Sequence, residues 1–91
     1  MTPEKGEMYY FAHVLPKFGV YDCIYMKCRT VFPDMVVLTN KHCTYPVCAN
    51  EYDKFIYKTA SECNEFLKEE EKLHKGEKVY RKEKNVVEEE D

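Results

Sequence analysis

The chain has 91 residues, of which 44% are hydrophobic and 34% are charged, and its formal net charge is −3. This balance predicts one globular domain and argues against a disordered chain, and the short length leaves little room for a deep catalytic cleft. No apolar run reaches the length that crosses a bilayer, and the absence of a Lys and Arg excess disfavours binding to a phosphate backbone.

The chain up to residue 58 predicts five short strands. Segments rich in Tyr, Val, Ile and Phe alternate there with turn-forming Pro, Gly, Asn and Asp. Residues 1–6 are expected to be loose. The predicted strands cover 7–15, 20–32, 35–39, 43–49 and 54–58. Connections this short leave no room for helical crossovers, so the strands are expected to pair antiparallel.

Three of these segments carry further information. Both alternations of 7–15 are apolar, which predicts a central strand. The length of 20–32 predicts a bend or a bulge. Pro46 lacks a backbone donor, and its presence predicts that the fourth strand lies at an edge of the sheet.

A helix is predicted from residue 60 to about residue 75. Thr59 and Glu62 have the spacing of a capping box, in which Thr59 accepts from the N–H of Glu62 and Glu62 reaches back to the N–H of Thr59. The apolar stripe expected to pack on the sheet consists of Cys63, Phe66, Leu67 and Leu73, with Glu70 interrupting it.

Together these elements predict an α+β domain over residues 1–76. It is a small antiparallel β-sheet, or an SH3-like or OB-like barrel, of about five strands followed by one C-terminal α-helix. Gly76 is expected to cap the helix. Residues 77–91 are expected to form a charged tail that is partly disordered or adds an edge strand.

The cysteines bear on location and on metal binding. The first seven residues lack the basic and apolar regions of a signal peptide, so we expect a cytoplasmic protein with reduced or metal-bound thiols. A zinc site would use Cys23, Cys28, Cys43 and Cys48. Both pairs are spaced more widely than a usual CxxC, and an odd separation in a strand puts two side chains on opposite faces. Core filling without a cofactor is therefore favoured, and zinc is the alternative.

The chain offers little for catalysis. Cys63 stands in the first turn of the predicted helix, where a thiol pKa can fall. A nucleophile also needs a base: His74 lies about three turns further along the helix, too far to reach Cys63, and the sequence supplies no geometry for His13 or His42. Phosphate-binding loops, nucleophile elbows and HExxH motifs are absent from the sequence. We therefore expect a protein that is not an enzyme.

A contact surface for another protein is the favoured function. The residues expected to contact the partner are Glu65, Glu69, Glu70, Tyr25, Tyr45 and Tyr52. Acidic side chains complement a basic groove, and tyrosine gives a large contact area at low entropic cost. The alternative is that tyrosines stack on single-stranded nucleic acid. The basic residues expected to line that face are Lys27, Arg29, Lys41, Lys54 and Lys58.

Two segments carry a resemblance to a known group of proteins. Residues 29–34 (RTVFPD) followed by residues 54–63 (KFIYKTASEC) resemble the pattern of small phage and prophage accessory proteins. The resemblance spans about residues 8 to 73. It implies a short β-domain closed by one helix that binds and inhibits a host protein, such as a nucleic-acid-binding protein or a nuclease.

Overall fold

The computed structural model describes residues 1–74, so the predicted cap at Gly76 and the predicted tail over 77–91 lie outside the described residues. The strands are β1 (Met8–Leu15), β2 (Val20–Val31), β3 (Met35–Thr39), β4 (Thr44–Cys48) and β5 (Ile56–Tyr57). The helices are α1 (Tyr52–Phe55) and α2 (Ala60–Leu73), with 3-10 turns at Pro16–Phe18 and Ala49–Glu51.

The five strands form one antiparallel sheet in the order β4-β3-β2-β1-β5. β1 lies between β2 and β5, which confirms its predicted central position. Strands β1, β2 and β3 each pair with the next strand along the chain, and β5 pairs with the free side of β1. The return of β5 to lie beside β1, after three hairpin connections, departs from a simple up-and-down order. The predicted α+β domain of five strands and a following helix is confirmed.

Pro46 lies on the edge strand β4, as its missing backbone donor predicted. Asn40 donates to the carbonyl of Cys43 at 3.0 Å, and Ala49 donates to the carbonyl of Asp34 at 2.9 Å, at the two ends of the β3–β4 ladder. Hydrogen-bonded positions alternate along an antiparallel pair, so this register turns the nitrogen of Pro46 away from β3. The proline therefore removes no bond from the ladder and leaves one donor fewer on the open edge.

The sheet is strongly curled. β1 and β4 are separated by two strands, yet the ring centroids of Phe11 and Tyr45 are 5.1 Å apart and those of His13 and Tyr45 are 4.9 Å apart. A flat sheet would hold these two strands about 14 Å apart. A register shift between Cys28 and Thr30 supplies the bulge predicted for β2, and bulges bend strands.

The concave side of the curl holds the larger hydrophobic core, which we call the inner core. Its buried residues are Tyr9, Phe11, Met26, Cys28, Val36, Leu38, Val47, Tyr52 and Ile56. They come from all five strands and from α1. Each large apolar side chain buried in this way contributes roughly 1.5–3 kcal/mol, so the inner core is the main source of stability.

Helix α2 covers the opposite side of β1 and β2. The buried residues between them are Ala12, Cys63 and Leu67, which we call the helix-side core. Phe66 packs at its margin, with its ring centroid 5.7 Å from that of Phe55. Because strand side chains alternate, Phe11 points into the inner core and its neighbour Ala12 into the helix-side core.

The first six residues are fixed to the sheet, although the sequence predicted that they are loose. Pro3 is buried. The backbone N–H of Glu4 donates to the hydroxyl of Tyr9 at 2.8 Å, and the N–H of Gly6 donates to the carbonyl of Cys28 at 2.8 Å. Gly6 adopts a φ of 90°, which a residue with a side chain adopts only with strain. Tertiary contacts therefore order a segment that has no strand pattern of its own.

The segment between β4 and β5 also differs from its prediction. A turn at 50–53 and a strand at 54–58 were expected, but the chain forms a 3-10 turn and α1, and β5 has only two residues. The hydroxyl of Tyr57 donates to the carbonyl of Lys54 at 2.6 Å. The helical turn places Tyr52 in the inner core. Burial of that ring outweighs the strand preference of the following residues.

Two methionines test the position of the inner core. Met26 is 0% exposed and Met8, near the start of the neighbouring strand, is 41% exposed. We expect Met26→Ala to lower the free energy of unfolding by about 2–5 kcal/mol because it leaves a cavity, and Met8→Ala to lower it by less than about 1 kcal/mol. Urea denaturation followed by circular dichroism measures both, and equal losses would contradict this placement.

Candidate functional site

The start of α2 is fixed by Thr59 and Glu62. The backbone N–H of Glu62 donates to Oγ1 of Thr59 at 3.2 Å, which confirms the first half of the predicted capping box. The Thr59 hydroxyl donates in turn to Oε1 of Glu62 at 3.1 Å. Glu62 thus reaches back to the hydroxyl, whereas the sequence predicted a bond to the backbone N–H. A capped first turn holds the helix in register over the sheet.

The outward side of α2 is predominantly acidic. Its exposed charged residues are Glu62, Glu65, Lys68, Glu69, Glu71 and Lys72. Glu65 and Glu69 lie at the surface, as a contact role requires. Four carboxylates against two ammonium groups leave this side negative even after pairing along the helix.

The sequence predicted that Leu73 packs on the sheet and that Glu70 contacts a partner, whereas the structure buries most of Glu70 and exposes Leu73. The Glu70 side chain is only 15% exposed, and its Oε1 lies 3.4 Å from Nε2 of His74. Leu73 is 74% exposed. The buried stripe of α2 therefore continues from Cys63 and Leu67 to Glu70, one turn at a time, and Leu73 falls outside it. Glu70 is less available to a partner than Glu65 and Glu69.

The three tyrosines predicted to contact a partner lie in different surroundings. Tyr25 is 51% exposed and lies on the same side of the sheet as α2, with its ring centroid 4.7 Å from that of Tyr10. Tyr45 is half-buried against Phe11 on the concave side. Tyr52 is 8% exposed, and burial raises the pKa of its hydroxyl. The expected exposure of Tyr52 is therefore wrong, because α1 turns the ring inward.

The predicted zinc ligands are divided between the two faces of the sheet. Cys28 and Cys43 pack at the inner core, whereas Cys23 packs at the helix-side core. Cys48 is exposed on the alternation opposite to that of the buried Val47. Within residues 1–74, no three His, Cys, Asp or Glu side chains converge as ligands of one ion would. The four thiols lack the shared centre that a tetrathiolate site needs.

A groove of about 210 Å³ lies between β1 and β4, where the curled sheet leaves a gap. Its lining residues are Phe11, Ala12, His13, Val14, Pro46, Val47, Glu51 and Phe55. His13 and Glu51 are its ionisable side chains. Among these lining residues there is no hydroxyl or thiol that an imidazole base would activate, so the groove lacks a nucleophile–base pair.

Sequence reasoning missed the meeting of Cys63 with Cys23. Cys63 is 0% exposed in the helix-side core, and Cys23 packs against that core from β2. Burial raises the pKa of the Cys63 thiol to about 12, and the neighbouring Cys23 thiol adds to the effect. The patterns placed Cys63 on a packing stripe and Cys23 on one strand alternation. Neither pattern indicates where the helix crosses the sheet, so the contact between the two thiols could not be predicted from the sequence.

Comparisons of the chain with protein-family models, with curated proteins and with solved structures found no match. Over residues 1–74, none of the helices has the length and apolar character needed to cross a membrane.

The raised pKa of Cys63 predicts a loss of stability at alkaline pH. A group whose pKa is higher in the folded than in the unfolded chain stabilises the fold below the unfolded value, and this contribution is lost as the pH rises through the folded value. With 9.0 as the ordinary value and about 12 in the fold, the loss begins near pH 9. Its slope is about 1.4 kcal/mol per pH unit.

Urea denaturation between pH 8 and pH 11 measures this slope. Cys63→Ala is expected to make the slope shallower by about that amount, whatever its effect on stability at neutral pH. Cys48→Ala is the matched control, because that thiol meets water in the folded protein, and it is expected to keep the slope of the unsubstituted chain. An unchanged slope in Cys63→Ala would contradict the assignment.

Proposed function

We propose that this protein is a protein-binding module of the cytoplasm that is not an enzyme. Its contact surface, which we call the α2 surface, consists of Glu65, Glu69 and Tyr25. The observation that carries the proposal is the exposure of Tyr25 on the side of the sheet that α2 covers, together with the acidic outward side of that helix. A half-exposed ring that rests on another ring is held in place before binding, which lowers the entropic cost of contact.

The α2 surface favours a partner with a basic face. Rim carboxylates steer a positively charged protein toward the surface and raise the association rate. An aromatic side chain next to them supplies the apolar contact that typically dominates the binding energy. Glu65 and Glu69 serve the first role in this proposal, and Tyr25 serves the second. Binding would block the partner's surface by occupying it.

A host nucleic-acid-binding protein or nuclease is the partner class that fits this chemistry. Such proteins carry basic grooves that neutralise phosphates, and an acidic helix competes for the same groove. The resemblance of residues 29–34 and 54–63 to phage accessory proteins supports an inhibitory role. It rests on a sequence pattern alone.

Single-stranded nucleic acid is the second candidate ligand. Lys27 follows Tyr25 on the same strand alternation, and both side chains are exposed, as is Arg29 at the bulge. Rings flanked by basic side chains stack on bases. The exposed carboxylates of α2 lie on the same side of the sheet and repel phosphates, which makes this ligand the less favoured of the two.

Affinity capture from host lysate with substituted baits tests the proposal. Tyr25→Ala is expected to weaken retention of the partner about 10- to 100-fold, as truncation of a binding hot spot does. Phe32→Ala is the matched control, because Phe32 is 47% exposed just after the end of β2, and it is expected to retain the partner. Equal loss with both variants, or with neither, would contradict the proposal.

The contribution of the Glu65 and Glu69 charges to the association rate is measured with a purified partner. The double variant Glu65→Lys/Glu69→Lys is expected to slow association and to reduce its dependence on salt. Glu4→Lys reverses an exposed charge outside α2 and is expected to leave both quantities unchanged. Tight, salt-sensitive binding of a single-stranded oligonucleotide that requires Tyr25 would favour the second candidate instead.

A further inference from the structure

Two thiols meet where α2 crosses β2. Cys63 is fully buried on the sheet-facing side of the helix, and Cys23 on β2 packs against the same cluster. The β1 residue opposite Cys23 in the register is Ala12, which is 1% exposed. Three small side chains at one crossing point allow the helix backbone to approach the sheet closely.

Close approach is the requirement for a covalent link between these residues. A disulfide needs Cα atoms about 4.4–6.8 Å apart, and bulky residues at a helix–sheet contact would prevent that separation. The remaining cysteines are less suited to a link with Cys63. Cys28 and Cys43 lie on the other face of the sheet, and Cys48 is exposed on the edge strand.

The two thiols differ in access to solvent. Cys23 is partly exposed, whereas Cys63 is closed off beneath the helix. Burial also keeps the Cys63 thiol protonated, because it raises the pKa to about 12. Thiolates and not thiols attack disulfides, so Cys23 reacts first with an oxidant from solution, and Cys63 acts second.

We propose that Cys23 and Cys63 form a redox modification site that takes a low-molecular-weight disulfide, such as oxidised glutathione, and closes into an intramolecular disulfide. This inference does not rest on the proposed function, because the thiol pair lies beneath α2 and not on its outward side.

The exchange balances in two steps. The Cys23 thiolate attacks one sulfur of oxidised glutathione, the S–S bond breaks, and one glutathione leaves as a thiolate. Cys63 then gives its proton to water or to the departed thiolate, and its sulfur attacks the sulfur of Cys23. The second glutathione leaves. Two protein thiols are oxidised to one disulfide, and one glutathione disulfide is reduced to two thiols.

The link would tie α2 to the sheet. Residues 23 and 63 are 40 positions apart, so the disulfide closes a long loop and restricts the unfolded chain. The oxidised protein is expected to melt roughly 10 °C higher than the reduced protein. In the proposed cytoplasmic location, where disulfides are usually transient, the link would report oxidising conditions and reverse when they end.

Peptide mapping of the full chain tests the site. The reduced protein is incubated with oxidised glutathione, free thiols are alkylated, and the chain is cut with trypsin. Cleavage after Lys and Arg places Cys23 in peptide 18–27, Cys63 in peptide 59–68, and both Cys43 and Cys48 in peptide 42–54. The expected result is a link between 18–27 and 59–68 that a reductant removes, together with the rise in Tm.

Two variants separate the steps. Cys63→Ala is expected to stop at a glutathione adduct on Cys23, and Cys23→Ala is expected to leave Cys63 unmodified. Cys48→Ala is the control and is expected to form the link at the unsubstituted rate. The proposal is overturned if 18–27 and 59–68 stay unlinked in the folded chain while 42–54 gains glutathione. It is also overturned if a Cys23 adduct accumulates equally with and without Cys63.

Discussion

Packing against the two faces of β1 is the constraint on which the rest of the structure depends. Phe11 enters the inner core and Ala12 enters the helix-side core, so a single strand carries both. A chain this short buries a limited fraction of its surface. A strand that contributes side chains to two cores buries apolar surface on both of its faces. The curl of the sheet follows from the same requirement, because it brings Tyr45 of β4 over Phe11 and closes the inner core without a second sheet.

The placement of small and large residues on β1 and β2 then determines what the surface presents. Cys63 packs against the small side chains of Ala12 and Cys23, so α2 lies close to the sheet with its acidic side toward solvent. Tyr25, one alternation beyond Cys23 on β2, remains half exposed. The thiol pair proposed to react with a disulfide thus lies where α2 contacts the sheet, and the surface proposed to bind a partner faces solvent on the same side of the sheet.

Much of the fold follows from local patterns, because strand alternation and turn chemistry act within a few residues. The central position of β1, the bulge in β2 and the edge position of Pro46 were all predicted in this way. Residues 1–6 and 50–58 were not, because buried Pro3 and Tyr52 order them through tertiary contacts that no local pattern encodes. The candidate site divides similarly: the outward position of Glu65 follows from helical periodicity, whereas the burial of Tyr52 depends on how the sheet curls.

Native-state hydrogen exchange measured residue by residue by NMR tests the central role of β1 most directly. Tyr9 and Phe11 lie on β1, which has a neighbouring strand on each side, and Tyr45 and Val47 lie at the corresponding alternation on the edge strand β4. If both cores depend on β1, the amides of Tyr9 and Phe11 exchange only through global unfolding, with the free energy that urea denaturation gives. The amides of Tyr45 and Val47 then exchange through smaller openings. Exchange of the β1 amides at or below the free energy of the β4 amides would contradict the account.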